Sequence, residues 1–534
     1  MRIKEQNINK ILAWLLVVSA VVRGALAAWL EFGNDEVYYW TYALYPDWSH
    51  FDHPPMVGWV IQLFSLNLLF DSELFVRLAS VVFTTANTYL IFRIGKDIKS
   101  AQVGLYAAML YTASIYAFVI TGIFIMPDAP LMLFWLLALW MAIKYFSNET
   151  VLRQAPRPSH LLLFGLFAGL AMLSKYSGVF LWLGLGLYIL FFDRKQLRTP
   201  YLYLALLVSA ICCVPILFWN LKHAFISFRF HGGRVGGGAV SFGSFGTELL
   251  GEFFYNNPVV FVLSFVAMFA SFKGKVNIGK DILRLLLCFA LPMIGMFWIF
   301  SLTRPILPHW DAPAYAQLIL LSACFLTSIT GSGEVSKPII AACSVLLLTL
   351  VVGVAEIKTG FVPLDKHTEP EKIGRDDFTL DMYGWRQLGG KFAALREEKI
   401  SEGLMNEEDG VVANQWFPLA HLDYYLARPL GLRAMGLGWP EYLHKYLWIN
   451  EERGGFHLGE NYWFLTDSRY LKDPKETYQW YFEEIELVDV IEIQRWGKPT
   501  KNFFVYVCKN LRLEPPTLSQ FMAVSDAEDT GYHP

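Results

Sequence analysis

The chain has 534 residues, of which 55% are hydrophobic and 17% are charged. Because a soluble domain carries about 25% charged residues, this composition indicates a protein that lies largely in lipid. The net charge of −3 excludes a basic face large enough to neutralise many phosphates, so nucleic acid is not an expected partner.

Apolar runs long enough to cross a hydrocarbon core of about 30 Å recur through the first two thirds of the chain. The first run lacks a clean small-residue cleavage site and is interpreted as a retained transmembrane helix. The shorter run 56–70 follows two prolines and is interpreted as an interfacial or re-entrant helix. About eleven spans are predicted, near 11–30, 76–94, 101–119, 129–147, 159–173, 178–192, 201–219, 256–272, 283–300, 312–330 and 337–356.

Lys and Arg residues concentrate in alternate loops between these runs, whereas the long loop 31–55 contains none. Basic loops tend to remain in the cytoplasm, so this alternation sets the orientation. The loop 31–55 is therefore predicted to face outward. An odd number of spans places the C-terminal part of the chain on the same outer side.

Beyond the last span the composition changes to that of a water-soluble domain. A segment with apolar residues at helical spacing is followed by strand-like runs, which indicates an α/β fold. The helical segment is 381–395, and the strand-like runs are 410–413, 462–465, 487–493 and 503–507. We therefore predict a transmembrane domain over 1–357, with its first outer loop at 31–75, and an extracytoplasmic α/β domain over 358–534.

The first outer loop is rich in acids that no basic residue balances. Its carboxylates include Asp35, Glu36 and Asp52, and Asp52 is followed by His53 and two prolines. Uncompensated acids at a membrane surface tend to bind a cation, act as a base or hold sugar hydroxyls. The alternative is a merely solvated loop, but such a loop has no need of the many aromatic residues or the rigid Pro-Pro pair found here.

Further charged residues lie on the same predicted side. Asp128 begins the fourth span, where a carboxylate can also cap the helix. The cations and imidazoles are Lys175, His231, Arg234, Arg304 and His309. The cations can be snorkelling residues or ion-pair partners of the acids. Alternatively they form an anion site, because a phosphate at the membrane edge requires Lys and Arg.

Acids and cations thus meet on one face of a helical bundle, at the depth of lipid headgroups. The ligand that fits this placement is amphipathic, with a phosphate, a polar group above it and a hydrocarbon tail below. At these residues the sequence resembles the GT-C glycosyltransferases, especially the lipid A aminoarabinose transferase and dolichyl-phosphate-mannose protein mannosyltransferase branch. The resemblance rests on the motifs Asp35-Glu36, Phe51-Asp52-His53-Pro54-Pro55, Pro127-Asp128, Leu173-Ser174-Lys175-Tyr176 and Pro308-His309-Trp310.

The resemblance covers about residues 10–355 and implies a polytopic GT-C-like α-helical fold in a bacterial inner membrane, with the α/β domain in the periplasm. It implies inverting transfer of a sugar from a polyprenyl-phosphate donor to a lipid, glycan or protein acceptor. Asp35, or alternatively Glu36, is expected to take the proton of the acceptor hydroxyl. Donor-phosphate binding is expected of Lys175, Arg304 and Arg234. Substrate or metal binding is expected of Asp52, His53, Asp128, His231 and His309.

No Gly-rich phosphate loop is found, so no nucleotide cofactor is expected, and a divalent metal ion is left open. The expected partners are the lipid-linked donor, membrane lipids and the acceptor. The alternative function is a polytopic transporter or flippase of lipid-linked substrates. Transporters keep charges near the bilayer midplane and often show two related halves. The outer placement of the charges and the lack of related halves favour the enzyme.

Overall fold

The computed structural model describes residues 7–146, 157–233, 239–330, 335–516, 518 and 520, and the chain forms two compact units. The first unit comprises Met1–Trp29 and Pro46–Leu350, and the second comprises Leu30–Tyr45 and Val351–Pro534. The segment Leu30–Tyr45, which the sequence assigns to the first outer loop, therefore folds with the C-terminal part of the chain.

Helices dominate the chain up to residue 359. In chain order they are α1 (Ile8–Trp29), α2 (Asn34–Leu44), α3 (Met56–Phe64), α4 (Glu73–Ile98), α5 (Ala101–Ala113), α6 (Asp128–Phe146), α7 (Pro158–Ser174), α8 (Phe180–Phe192), α9 (Pro200–Lys222), α10 (Ile226–Gly233), α11 (Phe242–Tyr255), α12 (Pro258–Phe272), α13 (Lys280–Ser301), α14 (Tyr315–Ile329) and α15 (Lys337–Thr359). Proline stands in the first turn of α7, α9 and α12. That position suits proline because its missing N–H would have no acceptor within the helix.

Within the described residues, seven helices are long and apolar enough to cross a membrane, and the bent pair of α11 and α12 gives an eighth. The seven are α1, α4, α6, α9, α13, Ala312–Ile329 and α15. The shorter apolar helices include α7 and α8. The run predicted at the interface forms α3, whose nine residues span only about 14 Å. The prediction of a multi-pass helical membrane protein is confirmed, whereas the count of about eleven spans is not.

A bend of 102° separates α11 from α12. At the bend, Asn257 has a φ of +68°, a region that asparagine tolerates better than most residues. Its side chain accepts a hydrogen bond from the N–H of Val259 and donates to the carbonyl oxygens of Ala113 and Ala342. Pro258 follows directly and cannot continue the hydrogen bonding of α11, because it lacks an N–H. A new helix, α12, therefore begins here and runs in a different direction from α11.

Helices α4 and α5 approach each other closely where two glycines meet. A Cβ atom at Gly104 would lie 2.3 Å from the carbonyl oxygen of Phe92, and one at Gly95 would lie 2.9 Å from the Cα atom of Gly104. No other residue fits such a contact without moving the backbone. The glycine pair therefore sets the spacing of these two helices in the core of the first unit.

We expect Gly104→Ala to destabilise the protein by about 1–3 kcal/mol, because the new methyl group must push α4 and α5 apart. The matched control is Gly24→Ala in α1, where a Cβ atom would meet nothing within 4 Å. Thermal unfolding of the detergent-solubilised variants measures the difference. Equal unfolding temperatures for the two variants would contradict the close approach.

The second unit contains a five-stranded mixed sheet in the order β2-β1-β3-β5-β4. Strand β1 is parallel to β2 and β3, whereas β5 is antiparallel to β3 and β4. The strands are β1 (Gly410–Ala413), β2 (Ala434–Gly436), β3 (Tyr462–Asp467), β4 (Phe482–Arg495) and β5 (Lys498–Leu511), and the helices are α16 (Trp385–Ser401), α17 (Trp416–Leu422), α18 (Pro440–Leu443), α19 (Tyr446–Glu452) and α20 (Pro474–Tyr478). The predicted α/β domain is confirmed.

Hydrogen bonds explain why Leu30–Tyr45 belongs to the second unit. The Glu31 carboxylate accepts from the backbone N–H of Trp385 at 2.8 Å, and the Phe32 N–H donates to the Tyr425 hydroxyl at 2.7 Å. Burial raises the pKa of Glu31, and the Trp385 N–H partly offsets that rise. Glu31, which stands at the start of the acidic loop, thus holds α2 to the second unit.

Candidate functional site

A buried ion pair forms the centre of the candidate site in the first unit. Lys175 Nζ lies 2.8 Å and 3.0 Å from the two carboxylate oxygens of Asp128. Asp128 opens α6, where a carboxylate complements the positive end of the helix dipole. Lys175 follows directly after the last residue of α7. Because removing two charges from water is costly, a buried pair of this kind is often kept for function rather than for stability.

A tyrosine completes the surroundings of Asp128. The Tyr116 hydroxyl donates a hydrogen bond to Asp128 Oδ1 at 2.9 Å, so this oxygen accepts from both Tyr116 and Lys175. Tyr116 opens a π-helical turn over Tyr116–Ile120, a distortion frequent at functional sites. Sequence reasoning missed this residue because it lies within an apolar run that was predicted as one uninterrupted span.

The loop that contains Asp52 and His53 packs against α10. His231 Nε2 lies 2.7 Å from the backbone carbonyl oxygen of Asp52, and the rings of His53 and His231 are 6.4 Å apart. The ring of Tyr176 lies 5.2 Å from that of His231 in an edge-to-face arrangement. Since Tyr176 follows Lys175 in sequence, these contacts connect the loop and α10 to the ion pair.

The charged groups of this region act on two buried imidazoles. Burial lowers the pKa of His53 to about 4, and the charged and titratable groups that also act on it are Asp52, His231, Lys175 and Asp128. Burial also lowers the pKa of His309 to about 4, with Lys175 and Asp128 acting on it. Both imidazoles are therefore neutral near pH 7, and Lys175 supplies the positive charge.

The structure thus brings together six of the residues that the sequence singled out, and we call them the Lys175 cluster. They are Asp52, His53, Asp128, Lys175, His231 and His309. Arg304 is half-buried, with its guanidinium 5.2 Å from the centre of the Phe300 ring. Arg234 lies outside the described residues. A phosphate-binding role for these two arginines remains a prediction.

Asp35 and Glu36 belong to α2 in the second unit and have different environments. Glu36 is buried, and its carboxylate accepts a hydrogen bond from the N–H of Gly33 at 2.9 Å. This is the capping-box contact that closes the start of a helix, so Glu36 has a structural role. Asp35 is exposed to solvent. The two carboxylates that the sequence left open thus differ in exposure, and the choice between them as the base stays a prediction.

The described residues include two groups of acids and histidines whose ligand atoms lie within 4.8 Å of one another, Glu248 with Glu252 and Asp311, and Asp365 with His367 and Asp376. The predicted metal residue Asp52 is in neither group. It meets His231 through its backbone carbonyl oxygen. Sequence reasoning missed both groups, because each combines residues from segments without a local metal-binding motif.

The chain is similar to several known proteins. The family model for dolichyl-phosphate-mannose-protein mannosyltransferases matches residues 52–219. The lipid A galacturonosyltransferase RgtD of Rhizobium johnstonii is 21% identical over 412 residues, which cover 75% of this chain and 81% of that protein. The crystal structure of ArnT from Cupriavidus metallidurans in the apo state matches with a TM-score of 0.60 at 14% identity, covering 92% of this chain and 97% of ArnT. The chain resembles the GT-C membrane glycosyltransferases.

The range matched by the family model contains the residues of the buried ion pair. The family match begins at Asp52 and contains Tyr116, Asp128 and Lys175. ArnT bound to undecaprenyl phosphate matches with a TM-score of 0.59 at 13% identity and the same coverage. These structural matches extend over both units of the chain, so the GT-C-like fold predicted from the sequence is confirmed.

Proposed function

We propose that this protein transfers a sugar from a polyprenyl-phosphate donor to an acceptor hydroxyl on the extracytoplasmic face of a bacterial inner membrane. The observation that supports this most directly is the buried Lys175–Asp128 pair in a unit built from membrane helices. The likeness to RgtD and ArnT supports the same class of reaction. The acceptor can be a lipid, a glycan or a protein.

In this proposal Lys175 binds the phosphate of the donor. When the bond between the anomeric carbon and the phosphate oxygen breaks, negative charge grows on that oxygen. A cation that is already positioned in a partly dry site stabilises this charge without reorganisation. Asp128 and Tyr116 hold Lys175 through the hydrogen bonds of the buried pair. Arg304 and Arg234 are proposed as further phosphate contacts.

Asp35 is proposed as the base. The acceptor oxygen attacks the anomeric carbon, its proton moves to the Asp35 carboxylate, and polyprenyl phosphate leaves with the electrons of the broken bond. A single displacement of this kind inverts the configuration at the anomeric carbon. Asp52, His53, His231 and His309 are proposed to contact the sugar, because neutral imidazoles and carboxylates are suitable partners for hydroxyl groups.

The test is incubation of the purified protein with a panel of polyprenyl-phosphate sugars, with quantification of released polyprenyl phosphate. We expect release from at least one donor, together with a matching mass increase in an acceptor. Movement of the intact donor across a vesicle membrane, without release from any donor, would instead identify a flippase and contradict the proposal.

The neutral imidazoles lead to a prediction about pH. Because His53 and His309 have pKa values of about 4, neither should supply positive charge for the phosphate near neutral pH. We therefore expect the KM for a phosphodiester donor to change little between about pH 6 and pH 8. If imidazolium groups bound the phosphate instead, KM would rise about tenfold per pH unit above their pKa.

A further inference from the structure

Three carboxylates that do not belong to the Lys175 cluster converge in the first unit. Glu248 and Glu252 lie one turn apart on α11, and Asp311 lies shortly before α14. Their side-chain oxygens lie within 4.8 Å of one another, and the three residues are at most 1% exposed. We call them the Asp311 cluster. A group of this kind brings up to three negative charges into the protein interior.

Few hydrogen bonds balance these charges. Both donors that reach the cluster bind Glu252, with Trp298 Nε1 at 2.8 Å and the Tyr315 hydroxyl at 2.7 Å. Both oxygens of Asp311 and both oxygens of Glu248 are buried, and within the described residues no hydroxyl, amide or basic side chain donates to them. In the part of the chain that the structure describes, the Asp311 carboxyl has only its own backbone and the neighbouring Glu252 carboxyl as close polar groups. Burial, followed by the charge of Glu252, raises the pKa of Asp311 well above its usual range. The unmet oxygens require either protons or a cation.

A close contact at Gly251 brings the helix with the two glutamates next to the loop with Asp311. A Cβ atom at Gly251, between the two glutamates on α11, would lie 2.1 Å from Cγ of Pro308. The absence of a side chain thus lets α11 lie directly against the loop that precedes Asp311. Because any side chain at Gly251 would push against Pro308, this close contact helps to hold the three carboxylates together.

We propose that Glu248, Glu252 and Asp311 bind a divalent cation of the class that prefers oxygen ligands, such as Mg²⁺, Mn²⁺ or Ca²⁺. Carboxylate oxygens are the ligands that these ions favour. Oxygens on opposite sides of such an ion are about 4–5 Å apart, which matches the spread of the oxygens here. The ion would reduce three negative charges to one and satisfy the buried oxygens of Asp311 and Glu248.

The ion would also fix a loop at the proposed phosphate site. Asp311 is two residues from His309, on which the charges of Lys175 and Asp128 act. By joining α11 to this loop, the ion would hold His309 in place. This consequence depends on the proposed function, whereas the binding of the ion does not.

The test uses full-length protein in detergent, stripped of metal with EDTA and then titrated with Mn²⁺ under electron paramagnetic resonance. We expect the Glu248→Gln/Asp311→Asn variant to bind one Mn²⁺ fewer than the wild-type protein. The control is Asp97→Asn, which changes a buried carboxylate that accepts from Trp140 Nε1 at 2.9 Å, and it should bind as the wild type does. A Mn²⁺ stoichiometry equal to that of the wild type in the double variant would overturn the proposal.

Two further measurements test whether the Mn²⁺ is bound at this cluster. Gly251→Ala retains all three carboxylates but disturbs their supporting contact, so it should weaken Mn²⁺ binding about 10–100-fold. EDTA should lower the unfolding temperature of the wild type but not that of the double variant. The proposal fails if the wild type binds no Mn²⁺ and its unfolding temperature does not change with EDTA. Protons alone would then neutralise the carboxylates of the cluster. Sugar release by the wild-type protein remains a separate test of the proposed function.

Discussion

Replacing Asp35 with Asn should lower the rate of sugar transfer by about 10²–10⁴-fold, because an amide cannot take the proton of the acceptor hydroxyl. The side chain is exposed and the substitution keeps its size, so the free energy of unfolding should change by no more than about 0.5 kcal/mol. Binding of polyprenyl phosphate should also be unchanged, since Asp35 is not expected to contact the phosphate. Initial rates of polyprenyl-phosphate release measure the effect.

The matched control is Glu36→Gln in the next position. Glutamine retains an oxygen that can accept from the Gly33 N–H, so the capping contact and most of the activity should survive. Full activity of Asp35→Asn would remove Asp35 from the mechanism. Loss of activity in Glu36→Gln alone, with the fold intact, would assign the base to Glu36.

Replacing Lys175 with Met should abolish transfer and weaken binding of polyprenyl phosphate, because the proposed site loses its buried cation. It should also destabilise the protein by about 3–5 kcal/mol, since Asp128 is then buried without its partner. These two effects must be separated, because a protein that unfolds also loses activity.

The double variant Asp128→Asn/Lys175→Met separates them. With both charges removed, neither residue of the pair is left as an unpaired buried charge, so the unfolding temperature should return toward that of the wild-type protein. Transfer should remain absent because the positive charge is still missing. Recovery of transfer together with stability would show that Lys175 serves the fold and not the donor phosphate.

Much of the fold could be predicted because its signals are local. Apolar runs such as 312–330 and 337–356 became helices with nearly the predicted limits, since the chain must satisfy its backbone hydrogen bonds internally in lipid. The strands at 410–413 and 462–465 were also found, because their short apolar runs end at polar residues. Strand β2 has only three residues, which is too short for a pattern to show.

The fold of the first outer loop could not be predicted from local sequence patterns. Its acids stand out in the sequence, but nothing in 31–45 indicates that this segment forms α2 and packs with the second unit. That outcome depends on Trp385 and Tyr425, which lie hundreds of residues away along the chain. The different environments of Asp35 and Glu36 follow from the helix cap and could not be read from a loop.

The candidate site was predictable to the extent that charged residues interrupt apolar sequence. Asp128 and Lys175 stood out for that reason, and the structure pairs them. Tyr116 did not stand out, because a tyrosine in an apolar run is ordinary, and only the folded chain brings its hydroxyl to Asp128. The Asp311 cluster combines a helix and a distant loop through the Gly251–Pro308 contact, which no spacing in the sequence reveals.

The proposed donor site is tested most directly by a cryo-electron microscopy map of the full-length protein in lipid nanodiscs with undecaprenyl phosphate. We expect phosphate density within hydrogen-bonding distance of Lys175 Nζ, beside Asp128 and His309. Density for the phosphate at another part of the membrane unit, with the Lys175–Asp128 pair undisturbed and no lipid near it, would contradict phosphate binding by Lys175.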